Sequence, residues 1–139
     1  MSKSQIFLKN ATEFVSTKAK LISGEIPKTL NGNYFRNGPG LFNYEKNVGE
    51  HWFNGDGYIL KLGFKNGECT AQGKFVQTPI YQERSSSKIL MDNILQKIWR
   101  KWVYGSQSDN IANTNVLCLK DSNYFLATCE GGQPYLMKK

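Results

Sequence analysis

The sequence predicts an all-β protein of short antiparallel strands interrupted by one helical insertion. Three observations predict it. Glycines fall in turn-forming clusters, among them Asn31-Gly32, Asn37-Gly38-Pro39-Gly40, Asn54-Gly55-Asp56-Gly57, Asn66-Gly67 and Gly131-Gly132, and clusters spaced this way separate strands rather than helices. Between them lie segments that alternate apolar and polar residues or run apolar for a few positions. One segment only, Lys88 to Tyr104, carries a helical period. Pattern of this kind fits a sandwich, a barrel or a propeller equally well.

Residues 1–25 read as a lead-in to a body that occupies 26–139. Leu30 to Gly40 reads as a strand running into a tight turn at Asn37-Gly38-Pro39-Gly40. In the next strand Tyr58, Leu60, Leu62 and Phe64 share one face while Lys61 and Lys65 take the other, on which Ile59 marks some burial. Asn66-Gly67 supplies the two positive φ values of a type I′ hairpin turn, and Cys69 to Val76 returns as the partner strand. Val116 to Leu119 and Tyr124 to Cys129 are continuous apolar runs, suited to strands covered on both faces, with Lys120-Asp121-Ser122-Asn123 as the turn between them.

The insertion, about residues 85–105, places Met91, Ile94, Leu95, Ile98, Trp99 and Trp102 on one helical face. Asp92, Asn93, Gln96, Lys97, Arg100 and Lys101 lie opposite, and Ser85-Ser86-Ser87 and Gly105 supply start and stop signals. Two readings fit such a helix. Its apolar stripe packs on the protein body, the commoner case, or it enters a membrane interface while Lys97, Arg100 and Lys101 meet anionic headgroups.

With 40% hydrophobic and 21% charged residues the chain is neither a disordered tail nor a low-complexity repeat. Apolar runs such as Val116-Leu117-Cys118-Leu119 are far shorter than the roughly 20 residues needed to span a bilayer. Met1 to Leu8 has no apolar stretch adequate for a secretory leader, and Cys69, Cys118 and Cys129 are an odd set without paired spacing, as expected of reduced thiols. Both features predict a cytoplasmic protein, or one peripheral on a membrane. The net charge of +7 invites a nucleic-acid partner, but outside the insertion the lysines are scattered and no reading motif accompanies them, so no nucleic acid is expected. His51 is the single histidine, so these residues alone cannot build a site of several imidazole ligands.

Taken one by one, the glycine-rich motifs read as turn chemistry. His51-Trp52-Phe53-Asn54-Gly55-Asp56-Gly57 lacks the alternating oxygen ligands of a calcium loop. Their order carries more. Ile26-Pro27, then Leu30-Asn31-Gly32-Asn33-Tyr34-Phe35-Arg36-Asn37-Gly38-Pro39, then His51 to Gly57, then Phe75-Val76-Gln77-Thr78 with Tyr81 and Glu83, then Ala112-Asn113-Thr114-Asn115-Val116, and finally Ala127 to Leu136 resemble successive landmarks of the carotenoid cleavage oxygenases. That family includes the retinal-pigment isomerase and plant apocarotenoid-forming enzymes. Two positions depart from its pattern: Asn54, where an aspartate is usual, and Tyr58, where a methionine is common.

The resemblance implies the N-terminal part, about two blades, of a seven-bladed β-propeller. It implies a non-haem Fe(II) dioxygenase that cleaves a double bond of a carotenoid or apocarotenoid with O₂. The family's four iron-ligating histidines would lie beyond Lys139, together with the remaining blades, so no catalytic residue, iron binding or activity is expected of these 139 residues alone. Arg36, Asn37, Gly38, Pro39, His51, Gly55, Asp56, Gly57, Asn113 and Thr114 are the structural motif residues so implied. By position Glu130 matches the glutamate that accepts a hydrogen bond from the far nitrogen of a ligating histidine, an arrangement that fixes the tautomer and aims the lone pair at the metal. Without the family pattern Glu130 reads as a solvated turn residue. The alternative function is a truncated, non-catalytic relative that binds lipid or membrane through its basic helix.

Overall fold

The computed structural model describes residues 9–42, 52–85, 98–99, 102–103 and 110–139. Among them are two antiparallel sheets. The first contains β1 (Phe14–Lys18), β2 (Gly32–Leu41), β3 (Asp56–Lys65) and β4 (Glu68–Phe75) in the order β1-β4-β3-β2. The second is the meander β5 (Asn115–Cys118), β6 (Tyr124–Thr128) and β7 (Tyr135–Lys138).

The β3–β4 hairpin forms as the sequence dictates. Asn66 and Gly67 have φ of 52° and 81°, the two left-handed values that match the strands' own twist, and the ladder runs in register from Lys65↔Glu68 to Tyr58↔Phe75. The expected turn at Asn37-Gly38-Pro39-Gly40 is instead the end of β2, with Gly38 paired to Tyr58 and Pro39 to Gly57 before a register shift at Leu41. Proline is tolerated there because β2 is the sheet's edge, where a missing N–H breaks no second ladder. Phe14–Lys18, inside the lead-in, forms a further strand against β4.

Beyond β4, Thr78 starts a short helix, α1 (Pro79–Ser85). Its hydroxyl accepts the Tyr81 N–H at 3.1 Å, and Pro79 occupies the first helical position, where no N–H is needed. Of the insertion, Ile98, Trp99, Trp102 and Val103 are helical, whereas Met91, Ile94, Leu95, Lys97, Arg100 and Lys101 lie outside the described residues, as does His51.

The core lies between the sheets. Ile59, Val76, Ala112, Phe125 and Ala127 are buried together, with Phe35, Val116, Tyr135 and Met137 packed around them. The Phe35 and Phe125 rings meet at 4.9 Å between centroids, joining β2 to β6. The buried face of β3 is therefore the one bearing Ile59. The face bearing Tyr58, Leu60, Leu62 and Phe64, which alternation picks out, is only half-buried. Lys61 shares the Ile59 face and reaches its rim, with Nζ 5.9 Å from the centre of the Phe35 ring.

Candidate functional site

Three chain segments converge where β2, the start of β3 and the approach to β5 meet. Gly57 N–H donates to Ile111 O at 2.8 Å, and Val76 N–H donates to Gly57 O at the same distance. A side chain at Gly57 would collide with the Ile111–Ala112 backbone, its Cβ lying 2.7 Å from Ala112 C, so the close approach of the two segments needs glycine there.

Asparagines tie the seam. Asn37 Nδ2 donates to Ala112 O at 2.8 Å and Asn115 O at 3.1 Å, joining β2 to the approach to β5. Asn113 Nδ2 donates back across the seam to Phe53 O at 2.7 Å and Gly55 O at 2.8 Å. Asn113 Oδ1 in turn accepts the Thr114 hydroxyl at 3.3 Å. Ala112 between them has φ of 47°, a left-handed value that costs a non-glycine residue roughly 1 kcal/mol. It is held there by Asn110, whose Oδ1 accepts the Ala112 N–H at 3.0 Å. Asn37 Oδ1 is buried without a partner among the described residues.

The carboxylates flank this seam. Asp56 is wholly buried at the start of β3. Glu13 accepts the Phe75 N–H at 2.8 Å. Tyr58 meets the Phe75 ring edge-on at 5.0 Å between centroids, and Tyr81 stacks on it at 4.8 Å. Burial raises both phenols above their ordinary range, the charge of Glu13 adds to each shift, and Asp56 adds to that of Tyr81. Burial alone raises Tyr135.

The motif residues thus divide. Asn37, Gly55, Asp56, Gly57 and Asn113 meet in the seam, with Pro39 packed against the Gly55 position. Arg36, paired with Leu60, sits on the opposite face of β2 and is exposed; Gly38 is half-buried opposite Tyr58. Thr114 is exposed and anchors the second sheet through its N–H to Thr128 O at 2.9 Å. Glu130 stands apart, exposed in the turn between β6 and β7. Asn110 and Glu13 were not foreseeable as partners of this seam. The one local signal for Asn110 is an asparagine oxygen accepting an N–H two residues on, an Asx turn.

Among the described residues no group of three or more His, Cys, Asp or Glu side chains is arranged to hold a metal ion. The seam's asparagines and glycines hold backbone to backbone across the two sheets.

Residues 7–139 match the sequence profile of the family described as retinal pigment epithelial membrane protein. This chain belongs to that family. Apocarotenoid-15,15'-oxygenase from Synechocystis sp. is 34% identical over 123 residues, covering 84% of this chain and 25% of the relative. Carotenoid cleavage dioxygenase 8 of Arabidopsis thaliana chloroplasts is 32% identical over 124 residues, covering 77% of this chain and 22% of the relative. Among solved structures, cobalt-substituted Synechocystis apocarotenoid oxygenase superposes with a TM-score of 0.74 at 28% identity, over 95% of this chain and 28% of that one. A chimera of that oxygenase with the retinal pigment epithelial protein gives 0.74 at 27% identity, over 95% of this chain and 28% of that one. The two sheets are therefore blades of the family's β-propeller, and the chain spans about a quarter of the length of the relatives it matches.

Proposed function

We propose that these residues form the N-terminal blades of an oxygenase that cleaves a double bond of a carotenoid or apocarotenoid with O₂. The observation that carries this reading is the family match across residues 7–139, with relatives named as apocarotenoid and carotenoid oxygenases. In such an enzyme Fe(II) supplies activation of O₂, and its histidine ligands come from polypeptide beyond the stretch matched here, since this sequence offers His51 alone. Glu130 then accepts a hydrogen bond from the far nitrogen of one ligating histidine. It is exposed in the turn between β6 and β7. The 139 residues by themselves neither hold iron nor turn over substrate.

Anaerobic loading with Fe(II) tests this. A polypeptide carrying these blades together with the remainder of the propeller binds iron stoichiometrically, and Glu130→Gln lowers its affinity by about 10–100-fold. Stoichiometric, tightly held iron in the 139-residue chain overturns the reading, as does an unchanged affinity in Glu130→Gln.

A second role is favoured by the insertion. Ile98, Trp99, Trp102 and Val103 are 59%, 58%, 84% and 44% exposed, so these four apolar side chains are not buried on the blades. No helix among the described residues is long and apolar enough to cross a membrane. The proposal is therefore peripheral: the tryptophans enter the interface beside Lys97, Arg100 and Lys101, giving a lipid-soluble polyene a path that avoids water. Whether in a complete enzyme or in a non-catalytic lipid-binding relative, sedimentation with anionic vesicles that weakens with salt supports it. Binding unaffected by Trp99→Ala with Trp102→Ala overturns it.

A further inference from the structure

The Glu130 turn has little of its own to hold it. Its internal backbone bond, Gly132 N–H to Cys129 O, is long at 3.4 Å, and Glu130 and Gly131 are exposed. On the β6 side the chain is fixed, because Thr128 pairs with Asn115 and its carbonyl accepts the Thr114 N–H at 2.9 Å. On the other side lies Asn110, 2% exposed, whose Nδ2 donates to Gln133 O at 2.8 Å. Its Oδ1 is held by the Ala112 N–H at 3.0 Å, so the amide cannot rotate without giving up one bond or the other.

Gly132 shows how tight this contact is. Its φ is not in the left-handed region, so the backbone does not require glycine. A Cβ there would lie 2.5 Å from Asn110 Cγ and 2.9 Å from Asn110 Cβ, whereas one on Gly131 would meet nothing within 4 Å. Of two adjacent glycines, one is demanded by a single buried side chain and the other is not.

We propose that Asn110 is the positioning residue of the Glu130 turn. It clamps the turn's far end to the inter-sheet seam, so that the carboxylate is presented from a fixed backbone. The functional meaning rests on the role proposed for Glu130: a carboxylate that orients a metal ligand must be held within about 0.5 Å of its productive place. The clamp itself does not depend on that role.

The test reads backbone order in the full 139-residue chain without metal. Asn110→Ser keeps an oxygen for the Ala112 N–H and removes the donor to Gln133. The ¹⁵N order parameters of Glu130, Gly131, Gly132 and Gln133 are expected to fall below about 0.6 while those of Phe125 to Ala127 in β6 stay near about 0.85. A purely structural role would lower both sets together, and that result, or no change in the turn, overturns the proposal. A second measurement is steric. Gly132→Ala lowers the thermal midpoint in the native background, and Asn110→Ser reduces that loss by about half or more, because the collision partner is gone. Additive losses overturn the clamp. Iron affinity of the whole polypeptide is a separate readout: a loosened turn with unchanged affinity would leave Asn110 as the clamp and refute the role given to Glu130.

Discussion

Asn113→Ala is the sharpest probe of how the two blades are joined. The Asn113 side chain is 9% exposed and spends both amide hydrogens on Phe53 O and Gly55 O, at 2.7 and 2.8 Å. Truncation leaves two carbonyls facing a small apolar methyl. At about 1 kcal/mol net for each bond, the expected loss is about 2 kcal/mol. For a chain of this size that lowers the thermal midpoint by about 6–10 °C. Asn113→Asp separates hydrogen bonding from shape, since it is nearly isosteric but turns a donor into a charged acceptor opposite those same carbonyls. Near neutral pH it should cost more than alanine does, about 3 kcal/mol or beyond. Repulsion raises the new carboxyl's folded pKa above its unfolded value of about 4. The protonated form is therefore favoured by folding, so the deficit is full above the folded pKa and shrinks as pH falls through it. Circular-dichroism melts of the native chain and both variants between pH 7 and pH 4 measure this. An alanine variant within about 0.5 kcal/mol of native, or an aspartate variant no worse than alanine at pH 7, would refute the reasoning.

Other perturbations have equally definite outcomes. Phe125→Ala removes a ring that is 2% exposed and tilted against Phe35, and should lower stability by about 3–5 kcal/mol in urea titrations. Gly57→Ala forces apart the β3 and Ile111–Ala112 backbones; loss of a cooperative unfolding transition is expected, and a native-like melt would contradict the close approach. Trp99→Ala with Trp102→Ala should reduce vesicle sedimentation while leaving the melting midpoint nearly unchanged, because both rings are more than half exposed. Tyr58, Tyr81 and Tyr135 have raised pKa values, burial being the first cause in each. They keep their protons more tightly when folded, so their contribution is fully present below about pH 10 and is lost as pH rises through the folded values. Absorbance at alkaline pH should show phenolate appearing late and stability falling as it does.

Much of the first blade is legible locally. Asn66-Gly67 dictates a hairpin by backbone conformation alone and needs nothing else of the fold to be recognised, whereas α1 lies before the one helix that periodicity predicts and is too short to show a period of its own. What is not legible depends on partners distant in sequence. β1 is exposed along its length and is a strand only because β4 pairs with it from Thr70 to Gly73. The Asn37-Gly38-Pro39-Gly40 cluster has turn composition, yet Tyr58 and Gly57 across the ladder hold Gly38 and Pro39 extended. Asn110 carries no more than an Asx pattern until Gln133 and Gly132 are seen against it.

Face assignment is the most instructive case, because alternation says that one side of a strand differs from the other but not which side meets the core. On β3 the longer apolar series, Tyr58 to Phe64, is half-buried, and the single Ile59 enters the inter-sheet core. The second blade shows the same economy: Phe125 and Ala127 are buried at 2% and 0%, while Leu117, Leu126 and Leu136 pair in a row across the outer face, Leu117 and Leu136 being 52% and 60% exposed. A strand whose two faces are both apolar is suited to a sheet with a neighbour on each side, as the blades of a propeller are. Among the described residues the runs Val116 to Leu119 and Tyr124 to Cys129 are covered on the inner face only, and on the outer face Leu117 and Tyr124 are exposed. Glu130 ends that doubly apolar strand as an exposed residue of a turn held by Thr128 on one side and Asn110 on the other.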